Sequence, residues 1–402
     1  MIIKPSIRSN FFTNSNPLGI KKMMEDYIAE VKTFDAYQGP RNVLIIGGSS
    51  GYGLASRLSL AFKGGSNTVN VSFENEPKGS KTGTAGYWNN IFFEHYAKET
   101  GLTHKDFNGN AFGIELKQKV LDYVKKTFGK LDLIVYSLAS GARPHPETGD
   151  IIKSQIKPVG KKASGQTIDL KSMEILDLHL EPASEQDIKD TVFVMGGSDW
   201  YDWIDFFDQN DALARNFKTI SYTYIGGPNT DEIYRHGTLG FAKQDLEEKA
   251  LLLNEKLKEK YEGEALVSSS KAIVSKASVF IPKMPIYVSC LFDVMKAHKL
   301  HETTIEHKHR LFKDMVYGNL RLVDDKNRIR LDHKELDPKV QEEVKRFMDT
   351  IKGEEIFNLN GTKAFIREFY NINGFNVPGV DDNQDINIET LLETYKTEDY
   401  DY

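Results

Sequence analysis

Cysteine is almost absent. The 402 residues hold a single one, Cys290. No disulfide can close within the chain, and a multi-cysteine metal site is excluded. Cys290 lies in the apolar run Ile286-Tyr287-Val288-Ser289-Cys290-Leu291-Phe292, which reads as a small buried hydrophobe rather than a reactive thiol. Long apolar runs are also missing. No window approaches the ~18 consecutive apolar residues of a membrane span, so no membrane insertion is expected. Met1-Ile2-Ile3-Lys4-Pro5 has no apolar signal-peptide region, and a cytoplasmic enzyme is expected. An excess of positive charge is missing as well. Net charge is −6, so no basic face calls for nucleic acid. What remains is an ordinary globular mixture, 40% hydrophobic and 27% charged. That is enough for a large core in one elaborated domain spanning 1–402.

The patterning suggests alternating helices and strands. Ile20, Met23, Met24, Tyr27, Ile28 and Val31 recur at helical spacing within 20–35. After Gly39-Pro40-Arg41, the run Asn42-Val43-Leu44-Ile45-Ile46 reads as a buried parallel strand. Further strands are expected at Val69–Phe73, Leu131–Tyr136, Val192–Met195, Thr219–Tyr224 and Ala265–Ser268. Alternation of this kind implies an α/β fold, a Rossmann-type doubly wound parallel sheet with extra helices. The stretch 141–190, rich in Gly, Pro, Lys and Ser up to about residue 167, is expected to form a flap or small subdomain over the substrate site. A charged helix is expected over Asp337–Ile351, and a loosely ordered end over Thr397–Tyr402.

Strand 42–46 runs into Gly47-Gly48-Ser49-Ser50-Gly51-Tyr52-Gly53, and a helix with the stripe Leu54, Leu58, Ala61 and Phe62 follows. Glycines let a backbone turn tightly and approach a pyrophosphate, and the helix N-terminus offers it unpaired N–H groups. A glycine triplet alone marks only a tight turn; strand before and helix after make it a nucleotide seat. Glu74 follows the second strand, 21 positions after Gly53. An acid about 20 residues on accepts ribose hydroxyls and repels a 2′-phosphate, which favours NADH over NADPH. The plainer reading of Glu74 is a solvated acid at a strand end.

An acid/base pair is harder to find. No tyrosine has a lysine four residues later, and Tyr123 with Lys126 lies too early in the chain. Tyr234 and Lys243 stand in Y-x8-K spacing. On one helix, nine steps of about 100° would set them on opposite faces. They converge only if Tyr234 precedes the helix, a bend that Gly237 and Gly240 allow. Spacing alone does not raise them above a surface tyrosine and lysine.

Several other groups read blandly. His307 and His309 alternate with charges in Glu306-His307-Lys308-His309-Arg310, a solvated face rather than a metal site. No metal is expected. Trp200, Trp203 and Phe207 fit a buried helix face, with acyl-pocket lining as the other option. Asp199, Asp202, Asp205 and Asp208 between them read as the wet face. His236 reads equally as a surface group or as a neighbour tuning Tyr234.

The chain resembles the FabV-type NADH-dependent trans-2-enoyl-CoA/enoyl-ACP reductases, relatives of the short-chain dehydrogenases. The resemblance spans nearly the whole chain. It is carried by Met1-Ile2-Ile3-Lys4-Pro5, Gly51-Tyr52-Gly53-Leu54-Ala55, Gly83-Thr84-Ala85-Gly86 and Val135-Tyr136-Ser137-Leu138-Ala139-Ser140. Val194-Met195-Gly196-Gly197, Ile233-Tyr234 with Gly237-Thr238, Ala277-Ser278, Ile281-Pro282 with Met284-Pro285, and Asn376-Val377-Pro378-Gly379-Val380 continue it. The chain departs from the family at Phe12-Thr13-Asn14 and Ile20, where cysteines are common, and at Gly141-Ala142-Arg143.

The resemblance implies reduction of the C2=C3 bond of an enoyl-CoA or enoyl-ACP by NADH. It implies that Tyr234 and Lys243 are catalytic, with Lys243 lowering the phenol's pKa, and that Tyr224 contacts substrate and shares the thioester oxygen. It also implies NADH contacts at Gly47, Gly48, Ser49, Ser50, Gly51, Tyr52, Phe73, Glu74, Asn110, Ala111, Leu138, Ala139, Lys243, Ile273, Val274 and Ser275. A monomer is expected. Two alternatives stay open: a carbonyl reductase of the same fold, and a non-catalytic dinucleotide sensor.

Overall fold

The computed structural model describes residues 1–351 and 353–396; the expectation for Thr397–Tyr402 lies outside them. In chain order come the short hairpin β1 (Ile7–Arg8) and β2 (Phe11–Phe12), then α1 (Pro17–Lys32), β3 (Asn42–Ile46), α2 (Gly51–Phe62), β4 (Asn67–Ser72), α3 (Ala85–Ala97), β5 (His104–Asn108), α4 (Ile114–Thr127) and β6 (Leu131–Tyr136). Next are β7 (Ala142–Pro144), β8 (Ile151–Lys153), β9 (Ala163–Asp169), β10 (Glu174–Leu180), α5 (Glu185–Met195), α6 (Ser198–Gln209), β11 (Leu213–Thr223), α7 (Thr238–Tyr261), β12 (Glu264–Ser269) and α8 (Met284–Ala297). The chain ends with α9 (Thr304–Arg310), β13 (Arg328–Arg330), α10 (Pro338–Thr350), α11 (Asn360–Asn371) and α12 (Ile388–Tyr395). These elements fall into two compact units.

The first unit comprises 1–137, 302–321 and 366 onward. Its strands are parallel, with β3 between β6 and β4, and β5 beyond β4. Every side chain of β3 is buried, which fits its Val-Leu-Ile-Ile content. The chain steps outward from β3 to β4 to β5, then returns to β6 on the other side of β3. That reversal is a topological switch point, where open α/β sheets bind ligands beyond the strands' C-terminal ends. Helices α1, α2 and α3 bury Met24, Val31, Leu58, Trp88 and Phe92 in one cluster, joined by Ile305 of α9.

The second unit comprises 138–301 and 322–365. Strands β11, β12 and β13 are parallel. Residues 141–190 form two antiparallel hairpins, β7/β8 and β9/β10, and lead into α5. Trp200, Trp203 and Phe207 of α6 are fully buried, so the core reading holds.

Three expectations are corrected here. Val192–Met195 is not a strand but the last turn of α5. Its β-branched run is overridden by a capping box at Ser184 and Asp187, which starts the helix upstream. The aspartates of α6 are not all wet. Asp199 and Asp208 are buried, and Asp208 takes Lys256, Lys260 and the Tyr261 hydroxyl as partners. His307 and His309 are not on a solvated face either. Both are buried, because α9 packs against α2. His307 Nδ1 lies 3.1 Å from Glu302 Oε2, and His309 Nδ1 lies 3.0 Å from Ser59 Oγ. Among the described residues no group of three His, Cys, Asp or Glu is arranged to hold a metal.

Candidate active site

In the first unit the glycine turn is built to take an anion. Gly47 and Gly51 have φ of 88° and 54°, a region that favours glycine. A Cβ on Gly53 would sit 2.0 Å from the Gly47 oxygen, so that glycine is required by close approach. Helix α2 begins at Gly51, and its N-cap Ser50 makes no side-chain cap hydrogen bond. The N–H groups at that end are therefore not closed off by their own cap.

A buried polar chain holds the turn from behind. Gly48 N donates to Asn70 Oδ1 at 2.8 Å, Asn70 Nδ2 donates to Asp106 Oδ1 at 2.7 Å, and Arg57 grips Asp106 at 2.7 and 3.1 Å. Arg57, Asn70 and Asp106 are wholly buried. Sequence reading missed all three, since polar residues at strand and helix positions carry no local sign of burial.

Glu74 closes the turn on its outer side. Its carboxylate accepts from Ser49 Oγ at 2.6 Å and from the Thr84 hydroxyl. A Cβ on Gly86 would strike it at 2.0 Å. Phe73 beside it is 77% exposed. Asn110 and Ala111 follow β5; Asn110 caps its own loop by accepting from Phe112 N at 3.1 Å. Tyr52 lies under the Lys308 ammonium, 4.2 Å from its ring centroid. Burial drives the Lys308 pKa far down.

In the second unit Tyr234 lies in a turn directly before α7, and Lys243 lies in that helix's second turn. This is the arrangement the Y-x8-K spacing demands. Gly237 and Gly240 permit it: a Cβ on either would lie about 2 Å from the Ile233 or Arg235 oxygen. Tyr234 is 7% exposed, and its ring meets the Tyr224 ring edge-on at 4.7 Å and 83°. It lines a cavity of about 430 Å³ whose walls include Ile175, Ile233, Met284, Ile286, Met348 and Ile351. Among the described residues no protein group hydrogen-bonds the Tyr234 hydroxyl.

The electrostatics differ from expectation. Burial pushes the Tyr234 phenol up, opposed only by Arg235, so Lys243 does not lower it. Lys243 Nζ donates instead to the Tyr222 oxygen at 3.1 Å. Burial lowers its own pKa to about 8, with Glu247 pulling the other way. The Tyr224 hydroxyl donates to Glu335 Oε1 at 2.8 Å, a protein partner that the Tyr234 hydroxyl does not have. Glu335 carried no sequence signal.

Leu138 and Ala139 follow β6, and Ile273, Val274 and Ser275 follow β12. The latter segment is pinned by Ser275 N donating to Ser278 Oγ at 2.9 Å. Arg143, at the departure from the family pattern, is structural. It is buried, stacks on Phe193 at 4.6 Å and donates to Phe193 O and Ser198 Oγ. His236 is a surface group, paired with Asp231 at 3.0 Å. Cys290 is fully buried, and burial raises its thiol to about 12.

Three family models match the chain: an NAD(P)H binding domain of trans-2-enoyl-CoA reductase over residues 2–79, the trans-2-enoyl-CoA reductase catalytic region over 81–317, and an enoyl reductase FAD binding domain over 323–386. The enoyl-[acyl-carrier-protein] reductase [NADH] of Burkholderia multivorans is 42% identical over 98% of each chain. The trans-2-enoyl-CoA reductase [NADH] of Clostridium acetobutylicum is 42% identical over 97% of this chain and 99% of its own. The crystal structure of the C. acetobutylicum enzyme in complex with NADH superposes with a TM-score of 0.95 over 99% of this chain and 100% of that one, at 42% identity. The Treponema denticola enzyme in complex with NAD gives 0.89 over 96% and 98%, at 41% identity.

The residues fit a nicotinamide dinucleotide, whose pyrophosphate the uncapped glycine turn could hold. They do not fit a flavin over 323–386. No strand, glycine turn and helix occur in succession there among the described residues. Two glycines of that stretch serve packing: a Cβ on Gly361 would lie 2.0 Å from Ser289 O, and one on Gly374 2.1 Å from Asn16 O. With a doubly wound parallel fold, a dinucleotide turn and full-length likeness to NADH-dependent reductases, the chain belongs to the trans-2-enoyl-CoA reductase family.

Proposed function

We propose that this enzyme reduces the C2=C3 double bond of trans-2-enoyl thioesters, carried on CoA or ACP, to the acyl thioesters with NADH. NADH, when bound, supplies the hydride that goes to Cβ. As that carbon gains the electron pair, negative charge develops on the thioester oxygen, and the product is completed by a proton at Cα. Tyr234 supplies the hydrogen bond to that oxygen. Burial keeps it a neutral phenol throughout the neutral pH range, which suits a donor and not a base. Lys243 is a cation below its pKa of about 8 and steadies the nicotinamide ribose. Glu74 takes the adenosine ribose hydroxyls and Phe73 the adenine. The Gly47–Tyr52 turn takes the pyrophosphate, and Asn110, Ala111, Leu138, Ala139, Ile273, Val274 and Ser275 complete the cofactor contacts.

The observation that carries this reading is the Tyr234 hydroxyl. It stands without a protein partner on the wall of a cavity of mixed lining, where Ile233 and Met284 sit beside Thr230, Glu232 and Lys283. A donor that faces a cavity and no protein acceptor is placed to meet a ligand. The β9/β10 hairpin contributes Gly165, Gln166 and Ile175 to the cavity and acts as its flap. We further propose a cytoplasmic monomer, checked by fractionation and sedimentation; no described helix is long and apolar enough to cross a membrane. The test of function is NADH oxidation with crotonyl-CoA, against acetoacetyl-CoA as the ketone control. Turnover of crotonyl-CoA alone supports the reading, and turnover of acetoacetyl-CoA alone assigns a carbonyl reductase.

A further inference from the structure

The stretch 323–386, which matches a flavin-binding description but does not fit a flavin, contributes a buried carboxylate to the Tyr234 region. Glu335 is 0% exposed. Its Oε1 accepts from the Tyr224 hydroxyl at 2.8 Å and the Tyr287 hydroxyl at 2.7 Å, and its Oε2 accepts from Ala272 N. Gln341 backs the arrangement, donating to the Tyr287 hydroxyl at 2.9 Å and to the Glu335 backbone oxygen at 2.8 Å. Three donors and no acceptor converge on the carboxyl group. That pattern suits a carboxylate: burial raises the group's pKa, and the bonds from Tyr287, Ala272 N and Tyr224 pull it back down.

The consequences reach Tyr234. The hydroxyl hydrogen of Tyr224 is committed to Glu335. Its ring is thereby held at one end, and the face of that arrangement is the edge-on contact with Tyr234 at 4.7 Å. Of the two adjacent phenols, one has its proton assigned within the protein and the other does not. Glu335 also holds Ala272 N, the residue directly before Ile273-Val274-Ser275. One buried group thus ties together the second tyrosine and the loop after β12.

We propose that Glu335 is a positioning residue for enoyl reduction, acting through Tyr224: it takes the Tyr224 hydroxyl proton and locks the ring that orients Tyr234, leaving Tyr234 as the single phenol that donates to the substrate oxygen. This rests on the function proposed above. Glu335→Gln is the informative change. The glutamine carbonyl can keep Ala272 N–H, but the amide then faces the two phenols and reverses the direction of their hydrogen bonds. Tyr234 loses its fixed neighbour. Misplacement of a reacting group by even ~1 Å costs up to about 100-fold.

The experiment is a cycle of four proteins, parent, Glu335→Gln, Tyr224→Phe and the double variant, assayed with crotonyl-CoA and NADH. NADH affinity is read separately by fluorescence. The expected result is a fall in kcat of about tenfold or more for Glu335→Gln, with the KM for crotonyl-CoA and the NADH dissociation constant within about twofold. The double variant should be no slower than the slower single variant, because the two residues act as one unit. Losses that multiply in the double variant, or a Glu335→Gln enzyme with parental kcat, overturn the inference. If Glu335→Gln does not fold, Glu335→Asp keeps the carboxylate and enters the same cycle with the same expected non-additivity. A parent that does not turn over crotonyl-CoA overturns the proposed function instead, and so separates the two failures.

Discussion

Replacing Tyr234 by phenylalanine removes one oxygen and leaves the packing in place. The ring keeps its edge-on contact with Tyr224 at 4.7 Å. No protein acceptor is stranded, since no described group hydrogen-bonds the hydroxyl. The fold should therefore lose less than about 1 kcal/mol, a melting shift of a few degrees at most for a protein of this size. The reaction should lose far more. Removing one donor aimed at a developing oxyanion costs about 2.7–4 kcal/mol, which is about 100- to 1,000-fold in kcat. The assay is steady-state NADH oxidation on crotonyl-CoA, paired with fluorescence titration of NADH. The expected outcome is that large fall in kcat with NADH affinity within about twofold. A Tyr234→Phe enzyme with kcat within about threefold of the parent refutes the assignment. So does a variant whose lost activity is matched by lost NADH binding.

Five further outcomes are expected. Glu74→Ser should relax the preference for NADH over NADPH by about tenfold, as a carboxylate no longer faces the 2′-phosphate; an unchanged preference ratio would remove Glu74 from the ribose site. Lys243 has its pKa lowered from 10.5 to about 8, so its cation is lost as pH rises through about 8, and kcat/KM for NADH should fall there, a limb that is absent in Lys243→Met. The same shift fixes a stability sign: between pH 8 and 10.5 the unfolded chain binds the proton and the folded one does not, so this group's contribution to stability rises with pH over that window, read as melts of the parent against Lys243→Met. Asp106→Asn should destabilise the fold by about 3–5 kcal/mol, because it leaves the wholly buried Arg57 without its counter-charge, and weaken NADH binding through Asn70 and Gly48; melting and NADH titration measure both. Cys290, with its thiol raised to about 12, should resist alkylation in the native protein and react only on unfolding, followed by intact mass.

What was legible in the sequence was local. Asn42–Ile46, the glycine turn and Glu74 announce themselves because strand, turn and helix follow one another within a few residues. The bend between Tyr234 and Lys243 was legible as a requirement, since no straight helix brings them to one face. Val192–Met195 misled because three residues of β-branched and aromatic character end a helix whose start is fixed by Ser184, eight residues earlier. His307, Lys308 and His309 misled because alternation with charges resembles a wet face, whereas the burial of α9 comes from α2, some 250 residues away in the chain. Asp208 is satisfied by lysines on α7, and Glu335 by tyrosines from Tyr224 and Tyr287. Such pairings exist only once the chain has folded, so no spacing rule finds them.

The most direct measurement is NADH oxidation by the purified protein with crotonyl-CoA, followed by mass analysis of the product after reaction with NADH deuterated at the transferred position. Butyryl-CoA carrying one deuterium at Cβ is the expected product, formed at a rate that falls about 100-fold or more in Tyr234→Phe. Deuterium at a carbinol carbon of a reduced ketone, with crotonyl-CoA untouched, would contradict the account.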